Sequence, residues 1–424
     1  MLSQTEQRVL DQCDLLFPQV LDMTRDLVSQ YSVLGREQGA LEAMAAWFKH
    51  FGLPLEHLPL DDPSLHRNPH HAPVDWSNEG RYSLVSRLNP DSSRPHLVFN
   101  GHLDVVPAEP VGMWSQAPWQ PWEKDGWLYG RGAGDMKAGI AAMVMAVQAV
   151  REAGVTIDHP LTLQTVIEEE CTGNGALACI NRGLCGDFVL IPEPFGARIY
   201  AGQVGALWFR LRVAGVPAHV LDTSAGSNAI ETLIALIPAL KTLEKELNEA
   251  REAPYDELTH PFNLGIGTLE GGNWPSSVPA HGVLEGRIGF PPGMSPDTIM
   301  ERVRRTVKDA HRQLGEAEEN LVVEFHGFRS EGHLVDLEHP GIHLLSECHE
   351  ALHGDRPEAF LATCTTDLRA FHVGAGVAGT CYGPVAERIH GIDECVNIES
   401  IRHTLKAYAL FLCRWPDQQR QRSN

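Results

Sequence analysis

Leu161-Thr-Leu-Gln-Thr-Val-Ile167 runs straight into Glu168-Glu169-Glu170 and then Cys-Thr-Gly-Asn-Gly175: an apolar strand, three acids, and a turn that opens a helix. The same grammar surrounds it. Residues 97–100 form a short apolar run ending at Gly101, and 136–153 carry a helical apolar face with Asp135 at the N-cap and Gly154 just past the end. Residues 176–182 read as a helix and 188–191 as a strand. Alternating β and α units predict a mostly parallel sheet covered by helices on both faces, an α/β fold. In such sheets ligands gather beyond the carboxyl ends of the strands, where His102, Glu169, Glu170 and Glu193 all fall.

From about Gly202 to Arg329 the pattern changes. Strands at 204–213, 262–269, 283–290 and 321–325 alternate with helices at 227–248, which Pro238 is expected to kink, and 296–314. The order βαββαβ is that of a ferredoxin-like unit, an antiparallel sheet with two helices on one face. Helices at 342–352 and 398–412 belong back with the first region, so residues 1–201 and 330–424 form one domain and 202–329 an inserted one. The polar tail from Asp417 to Asn424 is expected to fray.

A chain of 424 residues is long for one core and suits two domains. Its formal charge of -21 argues against a nucleic-acid partner, which needs a basic surface. Nine cysteines without a Cys-x-x-Cys pair read as reduced thiols rather than a disulfide framework. No secretory pattern is visible, and no apolar stretch approaches the roughly 20 residues that cross a bilayer, so a cytoplasmic protein without a membrane partner is expected.

The chemistry rests on five stretches. His102 and Asp104 lie at i and i+2 beyond a strand; the acid either orients the imidazole and its surroundings or is a solvated neighbour. Asp135, in Gly130-Arg-Gly-Ala-Gly-Asp135-Met-Lys137, serves as an N-cap, a ligand, or both. The triple glutamate is either a solvated charge run or a pair of adjacent acids pointing different ways, one to a metal and one to its water. Glu193 stands between two prolines, and His390 is a loop histidine among 21. Together they fill one scheme. Two divalent ions about 3.5–4 Å apart need a bridging carboxylate, terminal ligands on each side and an unligated base. His102 with Glu193 serves one ion, His390 with Glu170 the other, Asp135 bridges, and Glu169 is left as the base. Imidazole and carboxylate ligands without thiolate suit Zn2+, with Mn2+ or Co2+ as substitutes.

In this order the motifs resemble the metalloamidohydrolase family of acetylornithine deacetylase, succinyl-diaminopimelate desuccinylase, the aminoacylases and bacterial glutamate carboxypeptidase. The matches are Gly101-His102-Leu-Asp104-Val-Val-Pro107, the Asp135 loop, Glu168-Glu169-Glu170 with Thr172-Gly173, Glu193-Pro194 and His390-Gly-Ile-Asp-Glu394. The resemblance implies that His102, Asp135, Glu170, Glu193 and His390 hold two metal ions, that Asp104 backs the ligands, and that Glu169 is the general base. It implies that the inserted unit is a lid and dimerisation domain. In Gly215-Val-Pro-Ala-His219 it points to His219 as the group that reaches a neighbouring subunit's site to stabilise the oxyanion, hence a homodimer. The implied reaction is hydrolysis of a small N-acyl substrate by a water activated between the metals.

Two lid positions depart from the family. Members acting on amino acids carry Asn before Val-x-Pro and an Arg on the strand that follows; here Ser276 and Gly289 stand there, with Asn273 and Arg287 nearby. Arg287 lies on the same strand face as Gly289 and remains a candidate carboxylate clamp. Thr366-Asp367-Leu-Arg369 offers a second, with Thr366 beside it, unless Arg369 is a structural partner of an acid such as Asp367. Trp208 and Trp274 are either apolar walls or buried core. The leading substrate is an N-acyl amino acid; the rivals are an N-formylated or N-acylated heterocyclic amine and a di- or tripeptide. A non-catalytic binding protein of this fold would lack the base or a ligand, and both are present.

Overall fold

The computed structural model describes residues 2–418. Five strands of the main sheet come first: β1 (Glu56–Pro59), β2 (Tyr82–Leu88), β3 (Leu97–His102), β4 (Leu161–Val166) and β5 (Phe188–Ile191). Four more follow in the inserted region: β6 (Gly205–Ala214), β7 (Leu264–Gly271), β8 (His281–Phe290) and β9 (Leu321–Ser330). With β10 (Ala378–Cys381), the first five build a six-stranded sheet in the order β1-β2-β4-β3-β5-β10. The β4-β3-β5-β10 part is parallel, and β1 and β2 pair antiparallel at its edge.

β3, β4 and β5 are buried along their whole length, as strands covered on both faces must be. Among the polar side chains this places in the sheet interior, Asn100 Nδ2 donates to Gln164 Oε1 at 3.0 Å, and Gln164 Nε2 donates to the Leu184 carbonyl at 2.6 Å. One face carries α1 (Gln4–Val28), α3 (Ala138–Glu152), α7 (Pro340–His353) and α9 (Ile398–Gln418); Phe99 of β3 meets Tyr408 of α9 there. α2 (Gln38–His50) packs beside α1, while α4 (Asn174–Asn181) and α8 (Leu368–Ala375) sit against each other on the opposite face. Residues 133–152, α3 with the kinked turn before it, are long and apolar enough to cross a membrane by length and composition, contrary to the sequence expectation. Their apolar surface is absorbed in the core between α1 and α9.

The inserted strands and α5 (Ala229–Glu249) and α6 (Pro296–Gln313) form a second sheet in the order β7-β8-β6-β9, every neighbour antiparallel. Along β6, Leu207, Phe209, Leu211 and Val213 are buried against the helices, while the residues between them face away from that core. α5 is capped by Asn228, whose side chain accepts from Ile230 N and Glu231 N, and it continues through Pro238 rather than ending there. Where the chain leaves and re-enters this unit, Ile199–Gln203 pairs with His333–Leu334 and with Ala359–Ala362, a small sheet the sequence did not suggest. Of the tail expected to fray, the backbone of Asp417 and Gln418 continues α9, and the remainder lies outside the described residues.

Candidate metal centre

His102 closes β3, and its Nδ1–H donates to the Asp104 backbone carbonyl at 2.9 Å. That bond fixes the ring and aims Nε2 at Asp135, 3.1 Å from Oδ1. The other Asp135 oxygen, Oδ2, lies 3.4 Å from His390 Nε2, which is itself 3.1 Å from Glu170 Oε2. Glu193 Oε1 stands 4.0 Å from His102 Nε2 on the far side. The five groups therefore run Glu193, His102, Asp135, His390, Glu170, with one aspartate oxygen turned to each imidazole.

Asp135 is not an N-cap. α3 begins only at Ala138, and Asp135 itself is extended, at φ -110 and ψ 93. Its loop is gathered by Glu394, which is buried: Oε1 accepts from Gly134 N and Asp135 N, both at 3.0 Å, while Oε2 takes Gly132 N at 3.1 Å and Arg131 Nη1 at 2.6 Å. Gly139 lets α3 approach the Glu193 segment, since a Cβ there would lie 2.2 Å from the Pro192 carbonyl oxygen.

The Asp104 carbonyl holds the imidazole, while its carboxylate is bonded to the glutamates. Its carboxylate accepts from Glu169 N at 3.3 Å and Glu170 N at 3.1 Å, and its Oδ1 is 3.7 Å from His102 Nδ1. Glu168, far from being a solvated charge, is buried and held by Arg81, Trp76 and Thr172; Arg81 also pairs with Glu37. Each glutamate thus has its own surroundings. Glu169 Oε1 meets Arg369 Nη1 at 3.2 Å, which leaves Oε2 open to the site.

Burial alone would lower the His102 pKa, yet Asp135, Glu193 and Asp104 hold it well above its ordinary value. Glu170 first, then Asp135, pushes His390 up to about 11. Burial lifts Asp104 to about 7 and, with Asp367, lifts Glu169 to about 8. Carboxylates outnumber imidazoles here, so the site draws positive charge.

The donor set fits divalent cations. Donor atoms of His102, Asp135 and Glu170 all lie within 4.8 Å of one another. Zinc–ligand bonds of about 2.0–2.2 Å put neighbouring donors roughly 3 Å apart, the spacing seen around Asp135. Among the described residues the buried Glu170 Oε1 has no hydrogen-bond partner, an oxygen that a cation would satisfy.

The other candidates stand apart. Arg369 is buried; its Nη1 is taken by Glu169 and by the Thr366 carbonyl at 2.7 Å, its guanidinium lies 4.7 Å from the Phe328 ring centroid, and among the described residues its Nη2 has no hydrogen bond. Its distance to Asp367, the partner considered from sequence, is 3.9 Å. Thr366 is buried too, with its hydroxyl given to Gln203 at 3.0 Å. Both placements depend on partners remote in sequence. Asn273 and the exposed Trp274 line a separate cavity of about 540 Å³ at the tip of the lid sheet, with Asn228 and Val220. His219 is exposed, and among the described residues its Nδ1 bond is local, from Leu221 N at 3.0 Å. Trp208 packs edge-on to Phe328. Arg287 shares a cavity of about 320 Å³ with Trp208, Thr268 and His326, and among the described residues its guanidinium has no ion pair or hydrogen bond. Burial lowers its pKa. The Cys364 thiol feels both Arg287 and the cluster: burial and then Glu193 raise it to about 12, with Arg287 pulling the other way.

Glu394, Arg131 and Glu168 are the supporting residues that sequence reasoning passed over. The signal for Glu394 was its place in His390-Gly-Ile-Asp-Glu394, and for Arg131 the Gly-Arg-Gly before Asp135.

The family model described as Peptidase family M20/M25/M40 matches residues 98–414. The chain is similar to an N-formyl-4-amino-5-aminomethyl-2-methylpyrimidine deformylase of Bacillus subtilis (strain 168), 27% identical over 369 residues covering 81% of this chain and 85% of the relative. It is also similar to a succinyl-diaminopimelate desuccinylase of Gluconacetobacter diazotrophicus, 28% identical over 408 residues covering 93% and 96%. Among solved structures, the dipeptidase Dug1p of Saccharomyces cerevisiae shares the fold, with a TM-score of 0.81 at 15% identity over 98% of this chain and 99% of that one.

Proposed function

The chain belongs to peptidase family M20/M25/M40, hydrolases of amide bonds, and on that footing we propose that it is a two-metal hydrolase removing the acyl group from a small N-acyl substrate that carries an anion. The observation that carries this is the Asp135 carboxylate, one oxygen toward His102 and one toward His390, with Glu193 and Glu170 at the outer ends.

His102 and Glu193 would hold one ion, His390 and Glu170 the other, and Asp135 both. When bound, the ions supply Lewis acidity and lower the pKa of a water to near neutrality. Glu169 takes the proton of the attacking water at Oε2, the oxygen Arg369 leaves free, and returns it to the leaving nitrogen. Arg369 acts by holding Glu169 in place, and Asp104 does the same through the backbone N–H groups of Glu169 and Glu170. His219, exposed on the lid, is assigned to the oxyanion of a second copy's site, which makes the working unit a homodimer.

Arg287 supports an anionic substrate. Among the described residues the half-buried Arg287 guanidinium has no carboxylate partner, which a ligand carboxylate would supply, and a bidentate fork favours that group. A second reading, an N-acyl heterocyclic amine without that carboxylate, draws on Gly289 in place of the family's Arg and on the likeness to the pyrimidine deformylase. A hydrolysis screen with added Zn2+, Mn2+ or Co2+ separates them by comparing N-acetyl, N-succinyl and N-formyl amino acids with dipeptides and acylated neutral amines. Turnover confined to neutral acylated amines would replace the first reading by the second. No turnover of any amide with any of the metals would remove both.

A further inference from the structure

Away from the Asp135 centre, three imidazoles gather where the C-terminal end of α7 packs on α9. His349 and His353 lie one helical turn apart on α7 and therefore share a face. Their ring centroids are 4.2 Å apart, and His403 of α9 brings a third ring to 4.8 Å from His353. Two histidines at i and i+4 on one helix, completed by a third from a neighbouring element, are the arrangement by which helices hold zinc-class ions.

The individual rings suit that use. His349 is buried, and its Nδ1 is 2.8 Å from the Tyr382 hydroxyl, which orients the ring and leaves Nε2 as its donor atom. His353 is exposed, and among the described residues it makes no hydrogen bond. His403 is half-buried, with Glu399 Oε1 3.6 Å from its Nε2 as a nearby carboxylate. Burial, and next to it the neighbouring imidazole, holds His349 at about 4 and lowers His353, so these two rings are neutral and ready to ligate at neutral pH.

We propose that His349, His353 and His403 form a second metal site, distinct from the Asp135 centre and open to solvent, for a divalent transition metal of the zinc, nickel or copper class. The ligand type excludes magnesium and calcium, which take oxygen donors, and favours metals that accept imidazole. Among the described residues only His102, Asp135 and Glu170 already bring three donor atoms within 4.8 Å, so an ion bound at the new site draws the His349, His353 and His403 donors closer together. A bound ion ties α7 to α9 beside Tyr382, whose backbone N–H is given to the Ile191 carbonyl at 2.9 Å, two residues before Glu193.

The test counts zinc on the full-length protein. Wild type and the double variant His353→Ala/His403→Ala are dialysed to equilibrium against buffered micromolar zinc, and bound zinc is measured by elemental analysis. The wild type is expected to retain one equivalent more than the double variant. Without metal the two should melt at the same temperature, and at saturating zinc they should hydrolyse substrate at the same rate. His353→Ala alone, at an exposed position that folding does not depend on, should weaken the extra equivalent at least tenfold. Equal zinc stoichiometry in wild type and in His353→Ala across the titration overturns the proposal, whatever number of ions the Asp135 centre holds.

Discussion

Replacing Glu394 tests how the Asp135 loop is built. Its carboxylate is fully buried and accepts from three backbone N–H groups and from Arg131, itself only 2% exposed. Glu394→Ala leaves a buried guanidinium without its carboxylate, a change that costs about 3–5 kcal/mol. The stranded N–H groups of Gly132, Gly134 and Asp135 add to that unless water enters the space, at about 1–3 kcal/mol for each left unpaired. Glu394→Gln keeps one acceptor oxygen for Gly134 and Asp135 but turns an amide NH2 toward Arg131, so a smaller loss is expected. Because Glu394 fixes the backbone that carries Asp135, metal affinity should fall by about 10–100-fold in the alanine variant even where it remains folded. Urea denaturation gives the stability change, and competition with a chromophoric chelator gives the affinity. An alanine variant within 1 kcal/mol of wild type and unchanged in zinc affinity would refute the assignment of Glu394 as the scaffold of Asp135.

Glu169→Gln should lower kcat by about 10²–10⁴-fold while bound metal, counted by elemental analysis, stays as in wild type; activity within a few-fold of wild type removes Glu169 as the base. Arg287→Ala should raise KM for carboxylate-bearing substrates by about 10-fold or more and leave neutral acylated amines unaffected, and an equal effect on both classes would count against the clamp. Acid should destabilise the fold through His159, whose two buried ring nitrogens have no partner among the described residues and whose pKa burial lowers from 6.5 to about 4. The unfolded chain binds that proton first, so stability is intact above pH 6.5 and declines by up to about 3 kcal/mol as pH falls toward 4. His159→Leu should flatten that slope in urea titrations between pH 7 and 4, and an unchanged slope would show that other groups set it.

Much of this was legible because the informative residues lie where short-range rules are strict. Phe188–Ile191 can be read to the residue: four buried apolar positions between Gly186, at φ +64, and Pro192. His102, Glu169, Glu170 and Glu193 follow the ends of parallel strands, so the parallel-sheet rule locates them before any contact is known, whereas Asp135 and His390 come from loops outside that sheet. What misled was local plausibility. Asp135 precedes an apolar helix and reads as an N-cap, but Glu394, more than 250 residues later, holds its backbone in an extended form. Glu168 reads as part of a charge run, yet Arg81 from β1–β2 neutralises it in the interior. Arg369 reads as a carboxylate clamp or as the structural partner of an acid such as Asp367, with Thr366 beside it, while Glu169 and Gln203, 200 and 163 residues away, are the partners they bond. Pairings of that reach leave no periodic trace in a single sequence.

Crystals grown with zinc and measured for anomalous scattering on both sides of its absorption edge bear most directly on the central claim. Two peaks are predicted about 3.5–4 Å apart, with Asp135 bridging, His102 and Glu193 on one, and His390 and Glu170 on the other. A single peak, or zinc bound with Asp135 touching neither ion, would contradict it.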